Sequence, residues 1–464
     1  MKKATCLMIL VFSSICVLLG QNAQTAIDPT EKKEVIEALC ANLEREYIFP
    51  EVTDKYVRML RDNLRSGKYD GILRPEEFAV AVTDDLMAVS RDEHLTVRFN
   101  PAWVKEERNR KDLDEQAIKL QERRSRATNY GFMEAKIFPG NIGYLRLDSF
   151  SYDMGAQDAA VGAMSFLSNA DALIIDLRRN GGGSPEMVQF LCSYFLDNPR
   201  QHLNSFSYKD PERLTQYWTY TYLPGKRLDK ADLYLLTSEN TFSAAEEFAY
   251  NLKNLKRATV IGENTGGGAH DNRFVVLSDR FYMSLPFARA VNPVTKTNWE
   301  RVGVEPDVKV SQDIALGTAQ AMASRRLAEG EEDPAFKAYY QWQCDAYAAA
   351  LNPVSLTKEA LRSYVGTYGP RTITLEGETL SYQREAQAKR RMTPIGDDTF
   401  MLEGVDNLRL KFLREKNLIF AVEGRSAGRR GTVSVDHRSW TCPPPPLTEF
   451  DLGPGIGEVF GLAP

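Results

Sequence analysis

The stretch ADLYLLTSENTFSAAEEFAYNLKNLKRATVIGE, residues 231–263, decides the fold class because strand and helix patterns alternate along it. The apolar run LYLLT at 233–237 predicts a buried strand, and KRATVIGE at 256–263 predicts another. Between them, Ala245 and Phe248 belong to an apolar series at helical spacing. Strand, helix and strand in this order indicate a largely parallel sheet with helices packed against it.

Ser243 lies at the joint between the first strand and the helix. Serine is a favoured N-cap, and Glu246 follows three residues later, so the two residues match a capping box. A serine at a helix N-terminus also lies near the positive end of the helix dipole, where free N–H groups stabilise an anion. Taken alone, this stretch favours a cap over a nucleophile.

The alternation continues on both sides and predicts an α/β core at residues 136–322. FVVLSDRFYMSLPFARAV, residues 274–291, predicts a β-hairpin with turn residues at Ser278 and Asp279. Upstream, residues 28–100 carry apolar residues three and four apart, which predicts a helical subdomain.

Other segments flank these two regions. The charged stretch 101–135 is predicted to be a solvated helix or a linker. Residues 323–350 predict a helical connector, and the short strands of 351–440 predict a small antiparallel β-barrel or sandwich. The Pro-rich residues 441–464 are predicted to form an extended tail.

Composition indicates a globular protein of more than one domain, with 464 residues, a hydrophobic fraction of 43% and a charged fraction of 26%. The net charge of -5 gives no reason to expect nucleic acid or an anionic membrane as a partner. Four cysteines follow the first segment without any CxxC pair, which indicates neither a zinc site nor a dense disulfide framework. Buried thiols are favoured over one long-range disulfide for Cys40, Cys192, Cys344 and Cys442.

The first segment, residues 1–26, has Lys2 and Lys3 before a short apolar run and then polar residues. This pattern predicts a secretory signal peptide that is cleaved near Ala23 or Ala26. A lipid-modified Cys16 is disfavoured because isoleucine, instead of a small residue, precedes it. We therefore predict a periplasmic or secreted protein without stable membrane insertion.

Two glycine-rich stretches follow predicted strands. LIIDLRRNGGG, residues 173–183, is a buried strand that ends in three glycines, whose backbone N–H groups could form an oxyanion hole. GENTGGGAHD, residues 262–271, lacks the Gly-Lys-Ser/Thr ending of a phosphate-binding loop and is read as a substrate-facing loop. No cofactor or metal is predicted.

Histidines that could act as a base are few. His94 follows a predicted helix, and His270 ends the second glycine stretch and competes as a base by its proximity in sequence. His202 and His437 lie in polar surroundings and are predicted to be surface residues.

The stretches DLRRNGGG (176–183), LLTSENTFSAAEEFAYNLKNLKRATVIGENTGGG (235–268) and NWERVGVEPDV (298–308) resemble a serine peptidase family. Its members include the carboxyl-terminal processing (tail-specific) proteases, the tricorn core protease and the non-proteolytic interphotoreceptor retinoid-binding protein. The resemblance covers about residues 30–322. It implies a crotonase-like, ClpP-like α/β core behind a small helical domain.

The resemblance assigns roles to individual residues. Ser243 matches the family's nucleophile, and Glu246 and Thr265 match supporting positions of the pattern. One oxyanion N–H would come from Gly182 or Gly183, and the other from Ala244.

The general base predicted for this chain differs from that of the tail-specific branch. That branch uses a lysine twenty-five positions after the nucleophile, where this chain has Gly268, and the linker is too short for its PDZ domain. The tricorn-like branch uses a histidine that corresponds to His94, in a DEHL stretch where Glu93 replaces a small residue. Glu300 falls on that branch's glutamate.

These assignments predict an exported serine peptidase in which His94 activates Ser243 and Glu300 supports the network. The expected substrate is a peptide or an unfolded protein tail. The alternative is an inactive binding protein for hydrophobic small molecules on the same scaffold, which would need none of these three side chains. Members of the family often assemble, so a homo-oligomer stays open.

Overall fold

The computed structural model describes residues 26–109, 115–153, 155–197, 200–426 and 433–439. The predicted signal peptide before Ala26, the Pro-rich tail and Cys442 lie outside the described residues. The chain divides into two compact units, Met1–Ala323 and Ser324–Pro464.

The first unit begins with three helices, each of which has a proline in its first turn, where the missing N–H costs no hydrogen bond. Their apolar faces pack with strands β1 and β10, bounded below, in one core that includes Leu39, Tyr56 and Phe281. The predicted helical N-terminal subdomain is confirmed. The helices are α1 (Pro29–Glu46), α2 (Pro50–Arg65) and α3 (Pro75–Val89).

Two further helices, α4 (Pro101–Arg108) and α5 (Glu115–Ala127), occupy the charged stretch. The α/β core follows and contains α6 (Ala156–Leu167), α7 (Pro185–Phe195) and α8 (Ala244–Asn254). Helix α9 (Gln312–Gly330) contains the division between the two units.

A six-stranded sheet in the order β11-β8-β7-β4-β3-β2 forms the centre of the first unit. Neighbouring strands from β3 to β11 are parallel, and only β2 is antiparallel to its neighbour. Strand β4 is buried at every position, as expected for a parallel strand covered on both faces. The strands are β2 (Phe132–Phe138), β3 (Ile142–Leu147), β4 (Ala172–Asp176), β7 (Asp232–Thr237), β8 (Ala258–Gly262) and β11 (Val308–Lys309).

A second, five-stranded sheet has the order β1-β10-β5-β6, with β9 also paired to β10. Strands β9 and β10 form the predicted antiparallel hairpin. The strands are β1 (Thr96–Phe99), β5 (His202–Tyr208), β6 (Leu214–Trp218), β9 (His270–Val276) and β10 (Phe281–Val291).

The second unit contains α10 (Pro334–Leu351), α11 (Lys358–Tyr364) and a closed barrel of eight antiparallel strands. Its interior is filled by aromatic and aliphatic side chains, including Tyr368, Phe400 and Phe412. This confirms the predicted small antiparallel β domain. The strands are β12 (Gly366–Tyr368), β13 (Arg371–Glu376), β14 (Thr379–Arg384), β15 (Arg390–Gly396), β16 (Thr399–Leu402), β17 (Val405–Glu415), β18 (Leu418–Ser426) and β19 (Val433–Ser439).

Cys40, Cys192 and Cys344 are buried thiols that form no disulfide in the described part of the chain, as predicted. Within the described part of the chain, no helix has both the length and the apolarity needed to cross a membrane.

Candidate active site

The carboxyl ends of three neighbouring parallel strands bring the glycine and serine stretches together. Strand β4 pairs with β7, and β7 pairs with β8. The loops that follow them are residues 177–184, 238–243 and 263–269. Ligands of open α/β sheets bind at this edge.

Ser243 has φ 55° and ψ −122°, a backbone conformation that non-glycine residues rarely adopt. Such a residue costs about 1–3 kcal/mol and persists only where the surrounding structure holds it. Here it makes the sharp turn from strand β7 into α8, which presents the side chain above the sheet edge as in a nucleophile elbow.

Gly182 allows the glycine loop to approach this turn. A Cβ atom on Gly182 would lie 2.8 Å from the Cβ of Ser243, and its φ is +111°. Both the space and the backbone conformation therefore require glycine here. The close approach fixes the loop after β4 beside the serine.

His94, from the loop between α3 and β1, reaches Ser243. Its Nε2 lies 3.3 Å from Ser243 Oγ, and its ring stacks on Phe242 with centroids 4.8 Å apart. Burial lowers the pKa of His94 to about 4, although the nearby Asp92 carboxylate opposes this shift. The imidazole is therefore neutral at neutral pH and free to accept a proton.

Glu246 links the serine turn to the second glycine stretch through four hydrogen bonds. Its Oε2 accepts from the backbone N–H groups of Ser243 and Gly268, both at 2.9 Å. Its Oε1 accepts from Thr265 Oγ1 at 2.5 Å and from Gly267 N at 2.7 Å. Burial raises the pKa of Glu246 to about 7 despite these donors. The Glu246 half of the predicted capping box is thus present and also holds the loop.

Gly268, at the position of the missing lysine, faces His94. A Cβ atom there would lie 2.5 Å from His94 Cε1 and 2.2 Å from Phe242 Cζ. The two rings fill the space into which a side chain at 268 would project. A lysine at this position and the imidazole as placed are therefore sterically incompatible.

The glycine loop after β4 and the start of α8 offer backbone N–H groups that could receive an oxyanion. Of the two glycines that the sequence left as alternatives, Gly182 already donates its N–H to Asn180 Oδ1 at 2.9 Å. Among the described hydrogen bonds, none uses the N–H of Gly183 or of Ala244. Ala244 is the first residue of α8, where such N–H groups lack helical partners.

Glu300 lies in the same cluster but is not hydrogen-bonded to His94 among the described contacts. Its Oε2 accepts from Ala269 N at 2.8 Å and lies 3.6 Å from His270 Nδ1. Burial raises the pKa of Glu300 to about 7, while the charge of His270 opposes the shift. Its Oε1, like His94 Nδ1, is buried without a hydrogen-bond partner in the described structure.

Asp92 and His270 form a buried pair that was not predicted from the sequence. His270 Nδ1 lies 2.9 Å from Asp92 Oδ2. His270, the competing base, has no described hydrogen bond to Ser243. The aspartate two residues before His94 was visible in DEHL, but its partner on β9 depends on the fold.

Asp92, His270 and Glu300 could hold a metal ion by geometry, since one ligand atom from each lies within 4.8 Å of the others. The donor atoms are, however, engaged with one another and with Tyr47, whose hydroxyl donates to Asp92 Oδ2 at 2.9 Å. Both carboxyl groups face the same nitrogen, Nδ1 of His270, at 2.9 and 3.6 Å.

Of the remaining histidines, His202 is half-buried and stacks on Trp218 with ring centroids 4.4 Å apart. His437 is exposed on strand β19. His202 has no described hydrogen bond to the cluster around Ser243, and His437 belongs to the second unit.

Two protein-family models each match a part of the chain. Residues 141–310 match Peptidase family S41, and residues 29–129 match the N-terminal domain of peptidase S41 in eukaryotic IRBP. The first match contains Ser243, Gly268 and Glu300, and the second contains His94.

Curated relatives are processing peptidases. The chain is 32% identical over 169 residues to carboxyl-terminal-processing peptidase 2, chloroplastic, of Arabidopsis thaliana, which covers 36% of this chain and 31% of the relative. It is 29% identical over 177 residues to the carboxyl-terminal-processing protease of Synechocystis sp., which covers 38% of this chain and 40% of the relative. The chain thus spans well under half the length of these two relatives.

Solved structures that the chain matches in part include two proteases. The photosystem II D1 C-terminal processing protease has a TM-score of 0.40 and 17% identity, covering 62% of this chain and 95% of that chain. The tricorn protease has a TM-score of 0.28 and 23% identity, covering 44% of this chain and 18% of that chain.

Proposed function

Because this chain carries a peptidase family S41 domain behind that family's N-terminal domain, we propose that it is a serine-type peptidase that hydrolyses peptide bonds. The observation that carries the proposal is the 3.3 Å separation of Ser243 Oγ and His94 Nε2 at a strained strand-to-helix turn. This geometry joins a nucleophile to a base within hydrogen-bond reach.

The proposed reaction has two steps. Ser243 Oγ attacks the scissile carbonyl carbon while its proton moves to His94 Nε2, and the carbonyl oxygen becomes an oxyanion. The N–H groups of Ala244 and Gly183 stabilise that oxyanion. His94 then protonates the leaving amine as the C–N bond breaks, and a water molecule, deprotonated by His94, hydrolyses the acyl-serine ester.

His94 replaces the lysine of the tail-specific branch as the base. The ring of His94 occupies the space next to Gly268. A lysine side chain at position 268 and the imidazole of His94 therefore exclude one another sterically. The lowered pKa keeps His94 unprotonated at neutral pH, which a general base requires.

The substrate is a peptide or an unfolded protein tail. The relatives named above are carboxyl-terminal-processing enzymes, and they match this chain over 169 and 177 residues. An extended chain end is also the form of substrate that a cleft at a sheet edge can bind along its backbone.

Substitutions at the two reacting side chains test the proposal. We expect Ser243→Ala to abolish hydrolysis of unstructured peptides, and His94→Ala to lower kcat by about 10²–10⁴-fold. Circular dichroism should be unchanged in both variants. His202→Ala serves as the control, because its ring lies outside the cluster. Full activity of the His94→Ala variant would show that another group is the base.

An inactive binding protein for apolar small molecules is the second candidate. The observation in its favour is the N-terminal match, whose description names IRBP. A binding protein has no use for a hydroxyl and an imidazole held at 3.3 Å, so the peptidase is preferred. Organic extraction of the purified protein that released a stoichiometric apolar ligand would favour the binding protein.

We also propose export, with removal of a signal peptide near Ala23 or Ala26. The support is the order of Lys2 and Lys3, apolar run and polar residues at the start of the chain. Mass spectrometry of the mature protein should find a new N-terminus close to these alanines. A protein that retained Met1–Gly20 in the cytoplasmic fraction would contradict export.

A further inference from the structure

His270 is a buried histidine that the proposed reaction does not use. It begins strand β9 and is 4% exposed. Burial lowers its pKa, but the hydrogen bond to Asp92 and the charges of Asp92 and Glu300 outweigh burial and leave the pKa raised. Correspondingly, burial opposes ionisation of Asp92, yet its bond to His270 leaves the pKa of that carboxyl lowered. The two groups form an ion pair.

Asp92 connects three parts of the first unit. Its Oδ2 accepts from His270 Nδ1 and from Tyr47, the residue that caps the C-terminus of α1, each at 2.9 Å. Its Oδ1 accepts from the backbone N–H of His94 at 3.2 Å. The carboxylate therefore ties the loop that carries His94 both to α1 and to β9.

His94 depends on this connection for its position. Its ring is packed against Phe242, but its Nδ1 has no hydrogen-bond partner in the described structure. No side chain therefore orients the imidazole through that nitrogen, and the backbone must do so. The 3.3 Å contact with Ser243 is already at the long end of a hydrogen bond, so a small shift of the loop would break it.

We propose that His270 is a positioning residue for the base, acting through Asp92 to hold the backbone of His94 within reach of Ser243. The inference rests on the proposed function. Glu300 lies 3.6 Å from the same nitrogen of His270 and has no described hydrogen bond to His94. His270 touches neither substrate nor the reacting atoms.

Two substitutions of His270 separate positioning from simple packing. Asparagine can present an N–H close to the position of Nδ1, so we expect His270→Asn to keep kcat within about tenfold, and His270→Ala to lose about 100-fold. KM should change little in either variant, since the substrate-binding surface is intact. His202→Asn is the matched control and should behave as wild type.

The pH profile supplies a second readout. The charged groups acting on His94 are Asp92, which raises its pKa, and His270, which lowers it, whereas Phe242 on its other face carries no charge. Replacing His270 removes the positive charge, so the acid limb of kcat/KM should move to higher pH. A residue that only fills space would leave the limb in place.

The outcomes are distinguishable. A His270→Ala variant with wild-type kcat and wild-type pH profile, whether or not its Tm falls, would overturn this inference and leave the proposed function standing. If His270→Ala does not fold, an unshifted acid limb in His270→Asn overturns it equally. A wild-type protein that cleaves no peptide would overturn the proposed function, and this inference with it.

Discussion

In the proposed mechanism, the protonation state of His94 decides whether Ser243 can attack. Burial lowers the pKa of His94 to about 4, so the ring is a free base above that pH and loses its basicity as the pH falls through it. We expect kcat/KM to fall on the acid side with an apparent pKa well below the ordinary histidine value of about 6.5.

A pH–rate profile of kcat/KM measures this limb. Glu300 also titrates, with a pKa raised to about 7, so the profile is repeated on Glu300→Gln. The limb near pH 4 should persist in that variant whatever its absolute rate. A limb near the ordinary value of about 6.5 in both proteins would contradict a buried, neutral His94.

The same lowered pKa affects stability, with a defined sign. The unfolded chain binds a proton at His94 near its ordinary pKa of about 6.5, whereas the folded protein does so only near 4. Between these values the unfolded state binds more protons, so this residue makes folding less favourable as the pH falls.

At the residue scale, the sequence motifs were sufficient to predict Ser243 as the nucleophile and His94 as its base, because both residues lie at recognisable motif positions. The sequence left Gly182 and Gly183 as alternatives, because the bond from Gly182 N–H to Asn180 Oδ1, which favours Gly183 in our proposal, cannot be read from spacing. Nor could it find that Glu300 contacts His270. Hydrogen-bond partners between distant segments follow from the fold, and chain spacing does not encode them.

Among the elements, the glycine loop after β4 and the start of α8 act as one unit. Gly182 packs against Ser243 with a φ of +111°, whereas Gly181 has nothing within 4 Å of its Cβ position. We expect Gly182→Ala to displace the Ser243 turn and to lower kcat by about 100-fold or more. Gly181→Ala should stay within about threefold of wild type, since its added Cβ would displace no neighbouring atom and so would not misplace the reacting groups.

Steady-state kinetics and thermal unfolding of the two alanine variants check this prediction. Because an alanine at position 182 would be strained in the folded state, Tm should also fall for Gly182→Ala. Equal kcat values for the two variants would show that the close approach is not needed for the chemistry.

Helices and strands with a strong hydrophobic periodicity could be predicted from the sequence. Strands that depend on pairing with a strand distant in sequence could not. The strand–helix–strand order of β7, α8 and β8 follows from local spacing. Strands β5 and β6 were not predicted, because NSFSY and LTQYW are polar and short. Their strand conformation depends on pairing of β5 with β10, which supplies the missing context.

At the scale of the whole molecule, the composition and the order of predicted helices and strands were sufficient to predict the fold class of each unit. They did not distinguish a β-barrel from a β-sandwich for the second unit. Closure depends on pairing between β12 and β19, for example Thr367 with Ser439, which lie at opposite ends of the domain's sequence. Local patterns carry no information on such a long-range pair, so only the structure decides for the barrel.

The central claim is that Ser243 is a nucleophile activated by His94, and covalent labelling with a fluorophosphonate followed by intact-protein mass spectrometry tests it most directly. The serine displaces fluoride, so the wild-type protein should gain one phosphonyl group, which peptide mapping places on Ser243. Ser243→Ala should gain none, and His94→Ala should react about 100-fold more slowly or worse. An unlabelled wild-type protein, or equal labelling of wild type and His94→Ala, would contradict the account.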